Sequence, residues 1–360
     1  MEVLRSLTFS LVSVWLLHAL LVFFAVSLLV VFVGLGVHKN SVMQRERRHA
    51  NFRERERDVI RGLAGGDDRG FASVSDLPHA FSIVDAMQDC RITDAGEQRR
   101  IDDALASTRI EDLLRKAMRS KDWGLRFKSM TATHDLGWPV FFDQLIEHAA
   151  NDDDLRVKCS ALYACSGVLE TPEQFLKLYD ATDTIEQLTT GFIEGIFRTG
   201  LKRLDRYATP DGTAAMLDIC LKRPLSPRLA SLILAIGKEQ LHTLAPAIVA
   251  CARARPQRNI AISSMRALHM MGMSDPIITE NLSSDDPIAQ VAAIRSSPFC
   301  SDAPEKLAEL MTSRSFDVRY AAAMTLLAFG GRGIELLQSV HADFDDPYAR
   351  NMAAFALAME

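Results

Sequence analysis

Asp346-Pro347-Tyr348-Ala349-Arg350-Asn351-Met352-Ala353 is one version of a phrase that recurs along this chain, and its recurrence decides the fold. Asp286-Pro-Ile-Ala-Gln290-Val-Ala-Ala293, Asp317-Val-Arg319-Tyr-Ala-Ala-Ala323 and Asp154-Leu-Arg-Val-Lys158-Cys-Ser-Ala161 repeat it, and Asp122-Trp-Gly-Leu-Arg126-Phe-Lys-Ser129 is a weaker copy. Each reads as a helix start. In Asp286-Pro287 and Asp346-Pro347 a carboxylate stands at the N-cap and a proline at the first helical position, where its missing N–H costs nothing. Ala321-Ala322-Ala323 and Ala353-Ala354 allow neighbouring helices to approach closely. Leu326, Leu327 and Phe329, or Phe355 and Leu357, would fill the seam between layers.

The basic or polar position of the phrase falls at 126, 158, 290, 319 and 350, giving steps of 32, 132, 29 and 31 residues. The long step holds four periods of about 33, a length that belongs to stacked helical pairs. No single pair can bury its own apolar face, so neighbours must stack. Degenerate copies are expected near Thr184, Ser226 and Pro256. The acidic runs Asp152-Asp153-Asp154, Asp285-Asp286 and Asp345-Asp346 lack the alternating spacing and closing glutamate of a calcium loop, and read as caps.

These residues resemble HEAT repeats of the short type, roughly 30 residues long, found in phycobilisome-lyase-like proteins with the pattern D-P-x-V-R-x-A-A-x-x-A-L. The resemblance is good at Asp154–Cys165, Ser315–Gly330 and Asp346–Leu357, fair at Asp122–Thr133 and Asp286–Ser297, and faint between them. It implies an all-α fold: a right-handed α-solenoid of HEAT-like helical pairs over residues 121–360, preceded by an atypical helical capping region at 77–120. It also implies a structural ladder of acidic and basic side chains between repeats, to which Arg126, Lys158, Arg319 and Arg350 correspond. Gln290 departs from that pattern, so the ladder is expected to be interrupted there.

At the other end of the chain, Ser6 to His38 runs for 33 residues without Lys, Arg, Asp or Glu. About 20 apolar residues suffice to cross a bilayer, so residues 6–38 are expected to form one N-terminal transmembrane helix. Trp15 suits the outer interface, and His18 lies inside the run. Between Lys39 and Arg61 there are eight Lys and Arg, against Arg5 alone before the span. That asymmetry predicts a single-pass protein of the inner (plasma) membrane with its C-terminal domain in the cytoplasm. Residues 39–63 contain no proline and read as a basic juxtamembrane helix, with Val42, Phe52, Val59, Ile60 and Leu63 as a narrow apolar stripe. That stripe packs either on the chain's own globular part or on a partner helix. Arg45, Arg47, Arg48, Arg53, Arg55 and Arg57 would meet anionic lipid headgroups, each gaining about 1 kcal/mol near the leaflet, or serve only as topology determinants. The glycine-rich stretch Gly62–Gly70 opens a linker at 64–76.

The formal net charge is −5, and the excess of acid lies beyond the tether. An acidic repeat region excludes nucleic acid as its ligand. Six scattered cysteines without CxxC pairing suit a reducing compartment. Nine dispersed histidines form no HxxxH or HExxH, and no GxSxG, Walker or dinucleotide fingerprint stands in a strand–turn–helix context. His134-Asp135 and Glu147-His148 are adjacent pairs, and neighbours on a helix point to different sides. The expected function is therefore non-enzymatic, with no cofactor and no metal: a membrane-anchored scaffold whose repeats bind a protein partner, an integral membrane protein or membrane complex. Resemblance to anchored HEAT proteins implies an accessory subunit of a polysaccharide-synthesising membrane glycosyltransferase. The alternatives are a lyase- or chaperone-like HEAT protein acting on a client, and a nucleotide-responsive regulator. Met270, Met271 and Met273 cluster at a helix end, as filling or as an adaptable docking surface.

Overall fold

In a computed structural model of the chain, the described residues are 39, 51–67, 71, 74, 76–90, 94–223, 228–255 and 257–359. Their regular structure is entirely helical. The chain divides into two compact units, Met1–Ala117 and Met118–Glu360. No helix among the described residues is long and apolar enough to cross a membrane. The expected span at 6–38, with Trp15 and His18, lies outside the described residues, as do Val42, Arg45, Arg47 and Arg48.

In the first unit α1 (residues 51–64) precedes α2 (Leu77–Cys90), α3 (Ala95–Ala106) and α4 (Ile110–Met118), the last of which ends at the unit boundary. The apolar stripe of α1 is covered by its own unit: Ile60 and Leu63 are buried, while Phe52 stays exposed. Glu56, buried in the same stripe, meets His79 Nε2 through Oε1 at 3.2 Å. Helix α1 ends where the Asp67 N–H reaches back to the Gly62 carbonyl and Gly66 takes a φ of +88°. A left-handed residue there closes the last turn, and glycine takes it without a Cβ penalty.

The second unit is built from two interleaved series. One comprises α5 (Trp123–Leu136), α7 (Leu155–Val168), α9 (Thr190–Tyr207), α11 (Leu229–Lys238), α13 (Arg258–Met270), α15 (Pro287–Ser296), α17 (Phe316–Ala328) and α19 (Pro347–Leu357). Between them fall α6 (Phe142–Asn151), α8 (Pro172–Asp183), α10 (Pro210–Lys222), α12 (Ala245–Ala254), α14 (Pro276–Asn281), α16 (Ala303–Leu310) and α18 (Gly331–Asp343). Each odd-numbered helix packs on the odd-numbered helices before and after it. Even-numbered helices behave alike from α6 to α12, and again at α16 and α18.

The repeated phrase starts the odd series, for the reason its residues suggest. Asp122, Asp154, Asp286 and Asp346 are N-caps, each accepting from the backbone N–H two residues on. Such a cap is worth about 1 kcal/mol. In α17 the cap is Ser315, and Asp317 sits inside the first turn. The sequence match at Asp317 is thus shifted by two residues from the other copies. The register of the basic position is kept, however, because Arg319 stands four after Ser315 as Arg350 stands four after Asp346. Seven after each cap come Ser129, Ala161, Ala293, Ala322 and Ala353, all fully buried. Small side chains at this point bring the odd helices together. At Gly237 the backbones of α11 and α13 come so close that an added Cβ would lie 2.5 Å from the Ala267 Cα.

Of the central copies, the one expected near Thr184 is displaced, while α11 and α13 start from Arg228 and Gln257, next to Ser226 and Pro256, which lie outside the described residues. Helix α9 starts from the cap Thr189, and Thr184 instead ends α8. Ile185 and Leu188 are buried, so the apolar residues after Thr184 anchor a connection instead of opening a helix. Phe175, Tyr179 and Phe197 fill the seam between α8 and α9, with Phe197 5.8 Å from Phe175 and 5.5 Å from Tyr179 between ring centres. Full burial of such a side chain stabilises by about 1.5–3 kcal/mol.

Candidate docking face

Odd helices are covered on both flanks by their neighbours and behind by the even series, which leaves one stripe open. Helical periodicity puts residues four apart on that stripe. Counting from each N-cap, the ninth residue is Thr131 on α5, Tyr163 on α7, Arg198 on α9, Arg266 on α13, Arg295 on α15, Met324 on α17 and Phe355 on α19. None of these is buried, whereas on α11 the same position is the buried Gly237. A single register position, repeated by the fold, therefore generates a line of side chains that crosses the helices with a break at α11.

The two ends of the line are apolar. Toward α5 and α7 the exposed groups include Trp123, Phe127, Leu155 and Tyr163, with the Arg156 guanidinium 3.4 Å from the centre of the Trp123 ring. Toward α15, α17 and α19 stand Ile288, Phe316, Tyr320, Tyr348 and Phe355. Phe316 is 60 % exposed and Tyr348 67 %. Tyr320 links the patch, 6.1 Å from Phe316 and 6.3 Å from Phe355 between ring centres. Arg319 lies 5.4 Å from the Tyr348 ring. A contiguous exposed patch of large apolar groups marks an interaction surface, and Tyr, Phe, Met and Arg are the residues that dominate protein interfaces.

Between these ends the line is cationic. Glu194, Leu234, Lys238, Arg266, His269, Met270, Arg295 and Ser296 line a groove of about 330 Å³. Lys238 is paired with Glu194, and Arg198 donates to Glu239 at 2.9 Å. Arg266 and Arg295 are exposed and have no ion-pair or hydrogen-bond partner among the described residues. Met270, read from sequence as filling or as docking surface, lines this groove, while Met271 is buried.

The basic residues singled out in the sequence fall in different places. Arg126 grips Asp152 with Nε and Nη2, both at 2.8 Å, and donates Nη1 to the Ser120 carbonyl at 2.9 Å. Arg319 donates to the Ser313 carbonyl at 2.6 Å. Lys158 Nζ donates to the Ala150 carbonyl, and Gln290 Nε2 to the Leu282 carbonyl, each eight residues back. The side chain of Arg350 is exposed and bonds to nothing among the described residues. These groups chiefly satisfy the orphan carbonyls that end the preceding helix. In the middle of the chain other residues take over that task. Arg203 donates to the Gly137 carbonyl, Arg228 to those of Thr182 and Ile185, and Arg255 to that of Arg223. No spacing rule exposes these three, because each reaches back over more than 30 residues to a loop.

On α1, Arg53 and Arg57 converge on Asp89, Arg53 Nε at 2.6 Å and Arg57 Nε at 2.8 Å, whereas Arg55 remains exposed. Together they hold the Asp89 carboxyl below its usual range, chiefly through the bond from Arg53.

Of the two adjacent pairs, only one departs from expectation. His134 Nδ1 does meet Asp135, at 3.3 Å, because the ring lies flat against Tyr163 at 4.0 Å and is turned along the helix. His148 meets Asp152, one turn on, rather than Glu147. Burial pushes the Asp152 carboxyl up, but the bonds from Arg126, the Asp154 N–H and His148 outweigh it and hold the group below its ordinary value. Burial raises the thiols of Cys159, Cys165 and Cys300, and takes Cys220 to about 12. Such thiols are poor nucleophiles. Among the described residues no cluster of three His, Cys, Asp or Glu side chains is placed to hold a metal. Compared with known protein families and with curated proteins, the chain matches no family model and no curated protein.

Proposed function

We propose that the chain is a single-pass membrane scaffold in which a HEAT-like, right-handed α-solenoid, residues 121–360, binds a protein partner at the cytoplasmic face of the inner membrane. The partner is an integral membrane protein or membrane complex, and the chain performs no catalysis of its own. The observation that carries this reading is the patch of Ile288, Phe316, Tyr320, Tyr348 and Phe355 on the successive helices α15, α17 and α19, all exposed except the half-buried Tyr320. The three helices pack side by side, and solenoids use such extended faces for recognition. The uncharged run at 6–38 and the arginines that follow it supply the anchor and its orientation.

The test is co-purification in mild detergent from the native membrane, with partners identified by mass spectrometry. An integral membrane protein should accompany the wild-type chain and be lost from a Phe316→Asp, Tyr348→Asp double variant of unchanged helicity. Recovery of the chain alone, or of the same proteins with the variant, would refute the reading.

A further inference from the structure

The line of ninth residues has a definite chemical order, and that order specifies a ligand. From α13 to α19 it reads Arg266, Arg295, Met324, Phe355: two cations without partners, then two apolar groups. The first two belong to the groove that also holds Leu234, His269 and Met270. His269 Nδ1 is buried without a hydrogen-bond partner, and its ring lies 5.3 Å from Phe299. In a chain of net charge −5, two neighbouring guanidinium groups left unpaired are a local reversal of sign. The carboxylates nearby, Glu194 and Glu239, are already engaged with Lys238 and Arg198.

Spacing supplies the second constraint. Packed helices lie about 8–10 Å apart, and an extended polyproline-type segment rises about 9 Å per three-residue turn, returning the same face to the same side. A segment laid across the odd helices would therefore meet each successive ninth residue with every third side chain. We propose that this face binds an extended acidic segment of a protein partner: carboxylates at i and i+3 against Arg266 and Arg295, and apolar side chains at i+6 and i+9 against Met324 and Phe355. Guanidinium–carboxylate pairs supply the charge-assisted bonds, and the apolar end supplies burial. A bilayer or a nucleic acid fits less well, because a broad anionic surface would also press on Glu194 and Glu239. The inference rests on the docking function proposed above and names the chemistry of the partner.

The probe is a fluorescent peptide of sequence Glu-Pro-Pro-Glu-Pro-Pro-Leu-Pro-Pro-Phe, titrated by anisotropy into the full chain in detergent. Binding should weaken at least tenfold on replacing both glutamates by glutamine, and at least tenfold in an Arg266→Glu, Arg295→Glu double variant whose circular dichroism is unchanged. It should also weaken with added salt. Equal binding of the glutamine peptide, or indifference to the charge reversal, would overturn the proposal. So would binding of a short-chain fluorescent phosphatidylglycerol that the reversal abolishes while the peptide stays unbound. If a co-purified partner is lost from Phe316→Asp, Tyr348→Asp yet kept by the charge-reversed chain, docking stands and the acidic segment falls. If both variants keep it, both readings fall.

Discussion

Arg126 holds Asp152 by two parallel N–H···O bonds, Nε to Oδ2 and Nη2 to Oδ1, each 2.8 Å, and so ties the start of α5 to the loop that precedes α7. Both side chains are largely covered. The same carboxylate takes His148 Nδ1 at 3.2 Å and the Asp154 N–H at 3.0 Å. One aspartate thereby organises a corner between repeats.

Replacement of that aspartate should show its pH dependence. Asp152→Asn should lower stability at pH 7 by about 2 kcal/mol, since the hydrogen bonds to a charged group are lost and a covered guanidinium is left behind. The folded carboxyl titrates below its usual value. Its contribution is thus complete above the unfolded value of about 3.9 and disappears as pH falls through the folded one. Urea midpoints of wild type and variant should differ at pH 7, and the difference should begin to narrow only as pH falls below about 4. A gap that persists unchanged at pH 3 would assign the effect to packing.

Lys158 and Gln290 make the same contact, to carbonyls eight residues back, at 3.0 and 2.8 Å. Charge is therefore incidental to the role. Lys158→Gln should be near neutral in thermal melting, whereas Gln290→Leu should cost about 1 kcal/mol through an unsatisfied carbonyl. Equal losses for the two changes would show that the ammonium charge matters after all.

Gly237 faces Ala267 so closely that a methyl group cannot be added without moving backbone. Gly237→Ala should destabilise by about 1–3 kcal/mol, although alanine ordinarily favours a helix over glycine. A rise in Tm would mean that α11 and α13 can part at little cost.

The thiol of Cys220, pushed up to about 12 by burial, should resist alkylation at pH 8 until the chain unfolds. Cys159 is only part-buried and should be modified first. Mass spectrometry of a timed iodoacetamide reaction orders the two, and early labelling of Cys220 would reveal local opening around α10.

The sequence is most legible where local chemistry suffices. Capping carboxylates and the prolines behind them define Asp286 and Asp346 as helix starts without help from the rest of the fold. At Ser315 a hydroxyl residue opens the helix without a side-chain capping bond, and the nearby Asp317 attracts the match instead. Thr184 misleads because the two buried residues that follow it are held by tertiary contacts, which no local pattern records. The exposed face is harder still to read. Tyr348 and Phe316 look like core residues by type, and only the stacking of helices on both flanks shows that their stripe stays uncovered. Likewise, nothing in the local sequence distinguishes Arg266 and Arg295 from Arg228. Two are left unpaired at the surface, while the third is buried against carbonyls contributed from 46 and 43 residues away.

Since each odd helix leans chiefly on its immediate neighbours, the second unit should behave as a row of springs joined end to end. A disturbance at one junction spreads by attenuation, with no common core to average it. Amide hydrogen exchange should then vary seam by seam, slow where Gly237 of α11 packs against Ala267 of α13 and faster around six-residue α14. A ligand spanning several helices would stiffen those junctions alone, and its footprint would appear in exchange rates as a contiguous block.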